Sequence, residues 1–386
     1  MKEKKEVRLG IIGIGNMGSS HANNILSGKV PGIKLVAVSD GSEKRKDNFP
    51  DIPFYNEPGD LIASGKVDAV LIATPHYSHT TIGIQALEAG LHVLVEKPIS
   101  VQKADCQRLV AAHKDSSKIF AAMFNQRTDP AYRKLKQLID QGELGKIQRI
   151  NWTITDWFRT DAYYQSGGWR ATWAGEGGGV LLNQCPHQLD LWQWLFGMPE
   201  SVRGFCQMGR FHDIEVEDDV TAYLRYPDGS NGVFITTTGE APGTNRLEIA
   251  AQRGNIVLEN SKILWRRNEV ETDVFSRTSK SGFACPDTWN IEVPYQGSGE
   301  KHVGIMKNFA NAILYGEELI APAAEGINSV ELCNAMLLSS IEDKEIVLPI
   351  DAEAYEKLLL KLVANSKVKK KLVTTKLADD GFDQSF

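Results

Sequence analysis

Residues 7–28 read VRLGIIGIGNMGSSHANNILSG. A run rich in Ile, Leu and Val leads into Gly13, Gly15 and Gly18 in GxGxxG spacing, and then into a helix-like stretch. Each glycine has a task in a strand–turn–helix unit that cradles a dinucleotide. Gly13 permits the tight turn, Gly15 lets the backbone approach a pyrophosphate, and Gly18 lets the helix pack close to the strand. With the intervening Ile14, Asn16 and Met17, the loop ends at a helix N-terminus, whose N–H groups and partial positive charge suit phosphate. A lone GxGxxG is weak evidence, so the surrounding pattern decides its meaning.

Outward from the loop, that pattern repeats. KLVAVSD (34–40), DAVLIATP (68–75), HVLVEKP (92–98) and KIFAAMFN (118–125) are short apolar runs suited to strands buried on both faces. Segments with helical spacing separate them, two of which end in glycine. Repeated β-α-β order predicts an α/β fold with a doubly wound parallel sheet, the Rossmann arrangement, over residues 1–126. Asp40 follows Gly18 by 22 positions. A carboxylate there accepts hydrogen bonds from the adenosine ribose and repels a 2′-phosphate, so NAD is expected over NADP. Lys44 and Arg45, just downstream, are the features that would favour NADP.

After residue 126 the pattern changes. DPAYRKLKQLIDQG is predicted to be a bridging helix, and IQRINWTITDWF a strand. Alternating runs between residues 216 and 259, separated by PDGSN, APGT and RGN, predict an open mixed or antiparallel sheet. Helical patterns follow near 302–315, 324–340 and 352–365. Residues 127–386 thus read as an α+β second domain. The basic run SKVKKK (366–371) reads as a solvated helix end.

Composition excludes several classes. The net charge of −6 argues against a nucleic-acid partner. No apolar run reaches the roughly 18 residues of a membrane span, and MKEKKEV lacks a signal-peptide core. The five cysteines are scattered, with no CxxC pair, which fits reduced thiols, a cytoplasmic location and no metal site.

Strand ends at the carboxyl edge of such a sheet are where ligands bind. Thr74 and Pro75 end the fourth strand, with His76 and His79 in the helix that follows; helix capping or packing is the alternative reading of both histidines. Glu96 and Lys97 end the fifth strand, and Pro98 restricts Lys97 to extended backbone. A lysine at a strand end, taken alone, is usually a surface charge.

GIGNMG, IATPHYSH, EKP (96–98) and GGGVLLNQCPHQLD (177–190) together resemble the Gfo/Idh/MocA oxidoreductases, a resemblance that covers nearly the whole chain. It implies that Lys97 sits beside the nicotinamide and assists catalysis. It also implies that the second domain's open sheet mediates homo-oligomers, dimers or tetramers. Similar members carry Asp-x-x-x-His after the glycine run; here Asn183 and His187 occupy those positions. His187 is then the acceptor of a substrate hydroxyl proton, given the ordinary histidine pKa near 6.5. Asn183 cannot take a proton and can only orient groups, or it is simply a helix N-cap with Pro186 in the first turn. The resemblance also places Trp169 and Arg170 near the cofactor, and Asn125, Gln126 and Arg127 along the same cleft.

Residues 152–173 hold four of the eight tryptophans. They are expected to form a pocket in which Trp157, Tyr163 and Tyr164 pack on a sugar while Asp156, Arg159, Asp161 and Arg170 bind its hydroxyls; core or subunit-interface packing is the alternative. The leading expectation is an NAD(P)-dependent dehydrogenase acting on a sugar, glycoside or cyclic polyol, with pyranoside C3 oxidation favoured. Two others remain open. One is an NAD-retaining glycosidase or lyase that oxidises its sugar transiently. The other is a non-catalytic sensor of the same fold.

Overall fold

The computed structural model describes residues 6–366; of the basic run 366–371, all but Ser366 lie outside them. Strands β1 (Val7–Ile12), β2 (Ile33–Ser39), β3 (Phe54–Tyr55), β4 (Ala69–Ile72), β5 (His92–Val95) and β6 (Phe120–Ala122) form one parallel sheet in the order β3-β2-β1-β4-β5-β6. β1, β4 and β5 are almost wholly buried, as continuous Val/Ile/Leu runs require when helices cover both faces. Only the two-residue β3 had no pattern long enough to read.

A second, nine-stranded sheet follows. It contains β7 (Ile147–Ile154), β8 (Ser201–Met208), β9 (Glu217–Arg225), β10 (Asn231–Thr237), β11 (Asn245–Ala251), β12 (Gly254–Glu259), β13 (Lys262–Asn268), β14 (Thr288–Val293) and β15 (Ile346–Val347). The order is β14-β13-β12-β11-β7-β10-β9-β8-β15, antiparallel except for the β7–β10 pair. Alternation decides its faces. Ile150, Trp152 and Ile154 of β7 point inward, under helices Pro186–Phe196 and Gly326–Glu342. Trp192 stacks near Trp152, with ring centroids 6.5 Å apart, and lies so close to Gly232 that a Cβ there would meet its ring at 2.4 Å. Truncating such a buried indole costs about 3–5 kcal/mol. The outer face is open and carries exposed Phe205, Tyr223 and Leu264.

The chain then crosses back. Helix Lys301–Tyr315 inserts Ile305, Met306, Phe309 and Ala310 into the core of the first sheet's layer, and Ala121 pairs with Pro322. The two halves are therefore tied by side-chain packing as well as by the link at residue 126. Among the described residues no helix is long and apolar enough to cross a membrane.

Candidate active site

The glycine loop behaves as its spacing requires. Gly13 adopts φ +89°, a region that favours glycine, and a Cβ on Gly18 would stand 1.8 Å from the Gly13 carbonyl oxygen. Helix Asn16–Leu26 begins at Gly15 with no side-chain cap, so its first N–H groups face the loop. Asp40, just past β2, is held from three directions. Its Oδ2 accepts from the Ile14 N–H (3.0 Å) and from Arg45 (2.7 Å), and its Oδ1 from the Ser42 N–H (2.9 Å). Arg45 also lies 3.5 Å from where a Gly15 Cβ would stand. At the end of β4 the Thr74 hydroxyl is buried without a protein partner, and Pro75 is exposed beside it. An uncapped helix start, a carboxylate just past β2 and a buried hydroxyl with no partner among the described residues, along one sheet edge, fit a dinucleotide.

Lys97, half-buried at the end of β5, crosses to the other half: its Nζ donates to the Asn183 carbonyl at 2.9 Å. The Lys97–Pro98 bond is cis. Burial pulls the Lys97 pKa down, while Glu96 and Glu176 work to raise it and Arg159 to lower it. Burial also acts to raise the Glu96 pKa, but a 2.7 Å hydrogen bond from His21, with the charges of His21, His302 and Lys97, brings it down to about 2. Glu96 further accepts from the Lys97 backbone N–H at 3.1 Å, which fixes the base of the lysine.

His187 sits in the first turn of helix Pro186–Phe196, buried, and neither ring nitrogen has a partner among the described residues. Burial first, then the charges of Lys97 and His302, holds its pKa well below the usual histidine value. It is therefore neutral at pH 7, with an imidazole nitrogen ready to accept a proton from a ligand. His76 is similarly lowered, to about 3, and His302 to about 4, in both cases chiefly by burial.

Asn183 is not an N-cap. It ends the short helix Val180–Asn183, and Cys185 occupies the N-cap position before Pro186. Its side chain is fixed instead by neighbours: Oδ1 accepts from Tyr163 (3.2 Å) and Gln184 (3.1 Å), and Nδ2 donates to Glu176. Tyr163 in turn accepts from Arg170 at 2.9 Å, and Arg170 lies over both the Tyr163 and Trp169 rings. Trp169 meets His76 edge-on at 6.0 Å, so the Trp169–Arg170 pair does line the junction of the two halves. Trp157 is half-buried beneath Arg159, its indole N–H buried without a partner, and Asp156 is exposed beside it.

Three expected site residues are engaged elsewhere. His79 does not offer a ring nitrogen to the cofactor: Nδ1 lies 2.8 Å from the Pro98 carbonyl and Nε2 2.7 Å from that of Thr74, so the ring ties two strand ends together. Arg127, expected along the substrate cleft, is engaged within the protein. It is 1% exposed and spent on a bidentate pair with Asp190 (2.7 and 2.6 Å) and on Glu325 (2.6 Å). Tyr164 is core, bonded to Thr238 at 2.8 Å and packed on His212. Other residues had gone unread. His21 shares the buried stripe Gly18–His21–Ala22–Ile25, a spacing visible in the sequence. Glu176 interrupts a glycine run, another visible oddity. Nothing local marks His302 or Gln184.

Comparison with known proteins agrees with this geometry. A model described as an oxidoreductase family with an NAD-binding Rossmann fold matches residues 7–124, and the Gfo/Idh/MocA C-terminal domain matches residues 132–257. The chain is thus an oxidoreductase built on an NAD-binding domain. It belongs to the Gfo/Idh/MocA family. It is 28% identical to myo-inositol 2-dehydrogenase of Thermotoga maritima over 266 residues, 66% of this chain and 75% of that one. It is 26% identical to levoglucosan dehydrogenase of Pseudarthrobacter phenanthrenivorans over 394 residues, 89% and 99% of the two chains. The WlbA dehydrogenase of Bordetella pertussis, solved with NADH and UDP-GlcNAcA, superposes with a TM-score of 0.74 at 25% identity, covering 90% of this chain and all of that one.

Proposed function

We propose that the protein oxidises a secondary hydroxyl of a sugar, glycoside or cyclic polyol, using NAD. The observation that carries this reading is the Lys97 ammonium 2.9 Å from the Asn183 carbonyl, at the carboxyl edge of a dinucleotide-binding sheet, in the same buried set of groups as a neutral, unpartnered His187. His187 takes the hydroxyl proton. Lys97 donates to the same oxygen and draws charge from it as the carbonyl forms. When bound, the nicotinamide accepts the hydride from the substrate carbon. Asn183 holds a hydroxyl in register and Trp157 packs on the ring's C–H face. Pyranoside C3 is the favoured position; the relatives named for inositol and levoglucosan support only the broader class of sugar or polyol hydroxyls.

Asp40 supports NAD, because a carboxylate facing the ribose repels a 2′-phosphate. The functional division runs 1–126 for cofactor and 127–386 for substrate and assembly. The exposed Phe205, Tyr223 and Leu264 support a homo-oligomer built on the open sheet face. The free cysteines of the described chain suit a reducing cytoplasm.

Incubation with NAD and a panel of inositols, hexoses and glycosides, following NADH and products, tests the reading. NADH with a keto product is the expected result. Aglycone release without net NADH would instead assign the protein to the transient-oxidation glycosidases. Ligand binding without turnover on any substrate would make it a sensor.

A further inference from the structure

The departure at position 183 raises a question of charge. Where the family resemblance implies a carboxylate, this chain has an amide, which can hold a hydroxyl but cannot balance a lysine. The structure supplies a carboxylate from elsewhere. Glu176 is 1% exposed, and its Oε1 accepts from the Asn183 amide. Its Oε2 accepts from the Ala171 N–H at 2.6 Å.

The loop around it is built to hold it there. Ala171 takes φ +49°, a strained conformation for a residue with a side chain, and its N–H points at Glu176. Gly175 passes so close beneath that a Cβ would stand 2.0 Å from the Trp169 carbonyl oxygen, and Gly177 turns at φ +76°. A backbone wound this tightly around a buried acid is the kind of support a site residue needs.

We infer that Glu176 is the active-site carboxylate of this enzyme, a positioning residue that fixes the Asn183 amide and supplies the negative charge that position 183 lacks. The inference rests on the dehydrogenase reading and deepens it. Asn183 is the go-between: its carbonyl receives Lys97, and its side chain is clamped by Glu176, Tyr163 and Gln184. Glu176 therefore reaches the lysine through one intervening residue, and its charge works to keep Lys97 protonated. The groups around Lys97 are Glu96, His76 and His79 from the first half, Arg159, Glu176, Cys185 and His187 from the second, and His302 from the returning helix. Besides Glu176, Glu96 is the one carboxylate in that set, and it already serves His21.

Two measurements on the full-length protein decide the matter. The first uses no substrate: the Lys97 ε-amino group is titrated by NMR with carbon-labelled lysine, its signal assigned by loss in Lys97→Arg. In Glu176→Gln, which keeps size but removes the charge and one of the two acceptor oxygens, the Lys97 pKa is expected to fall by about one unit. The double variant Glu176→Gln/Asn183→Asp, which moves the carboxylate to position 183, is expected to restore it. The second is turnover. Glu176→Gln should lose about 10- to 100-fold in kcat with NADH affinity unchanged, and the double variant should recover most of the loss. A Lys97 titration identical in Glu176→Gln and the unaltered protein, or a full kcat in that variant, overturns the inference. If the unaltered protein forms no NADH with any polyol while the titration moves as expected, the dehydrogenase reading fails and the Glu176–Lys97 linkage stands.

Discussion

Lys97, just past the end of β5, and Lys103, which opens helix Lys103–Ala112, lie six positions apart and are treated in opposite ways. Lys103 is 6% exposed and fully compensated: its ammonium pairs with Glu331 at 2.8 Å and donates to the Ile350 carbonyl at 3.0 Å. Glu331 itself is 6% exposed and also accepts from the Ile350 N–H. Lys97 gives its ammonium to a backbone carbonyl, and burial depresses its pKa. A neutralised lysine is a rivet. A lysine held by a dipole, with carboxylate charges acting on it from Glu96 and Glu176, keeps a proton affinity the site can use.

The largest effect that would break this contrast is on turnover. Lys97→Ala is expected to lower kcat by about a thousandfold or more while NADH binding, followed by fluorescence, and thermal unfolding stay near those of the unaltered protein. Normal turnover in that variant would end the proposed mechanism. Lys103→Ala should do the reverse. It leaves Glu331 buried and unpaired, costing about 3–5 kcal/mol in denaturant unfolding, with activity per folded molecule retained. Arginine sharpens the contrast further. Lys97→Arg keeps the charge but replaces a compact ammonium with a planar guanidinium that cannot donate from the same point, so kcat should remain about a hundredfold down at every pH. Lys103→Arg keeps its ion pair and should cost about 1 kcal/mol of stability or less.

The smallest expected effect is on pH dependence. The folded pKa of Lys97 lies below its unfolded value, so between the two the unfolded chain binds more protons and stability rises with pH. His76, His187 and His302 carry the same consequence at the acid end. Their folded pKa values are also lowered, so the unfolded chain takes up protons first as pH falls below about 6.5, and stability is lost from there downward. Melting temperatures across pH 4–7 should therefore decline toward acid, and His302→Asn should flatten part of that slope. A flat profile would mean that these histidines ionise freely in the folded protein.

The first sheet was legible because its determinants are local. Gly13, Gly15 and Gly18 act within one turn, and Asp40 and Lys97 stand at the ends of strands that the apolar runs announce. The second half was legible where strands alternate between turns, as in residues 216–259. What failed was anything settled by a distant partner. Arg127 looked available because Asp190 is 63 positions away and Glu325 is 198. His79 looked free because its acceptors are backbone carbonyls, which no side-chain pattern reveals. Tyr164 sat among aromatics of which some face the cleft and others the core, and sequence does not say which. Glu176 matters only once a turn with Ala171 in left-handed backbone brings it to Asn183.

Helix Lys301–Tyr315 has a further consequence, for biosynthesis. Ile305, Met306, Phe309 and Ala310 complete the apolar core around β1, yet they are made about 180 residues after the last strand of that sheet. At roughly 5–20 residues per second, the first half waits some tens of seconds on the ribosome with part of its interior uncovered. A fragment ending near residue 126 would carry that bare surface permanently and should aggregate or recruit chaperones. The cofactor half is thus not an independent module that acquired a substrate half; it becomes a finished fold only when the later sequence returns to close it.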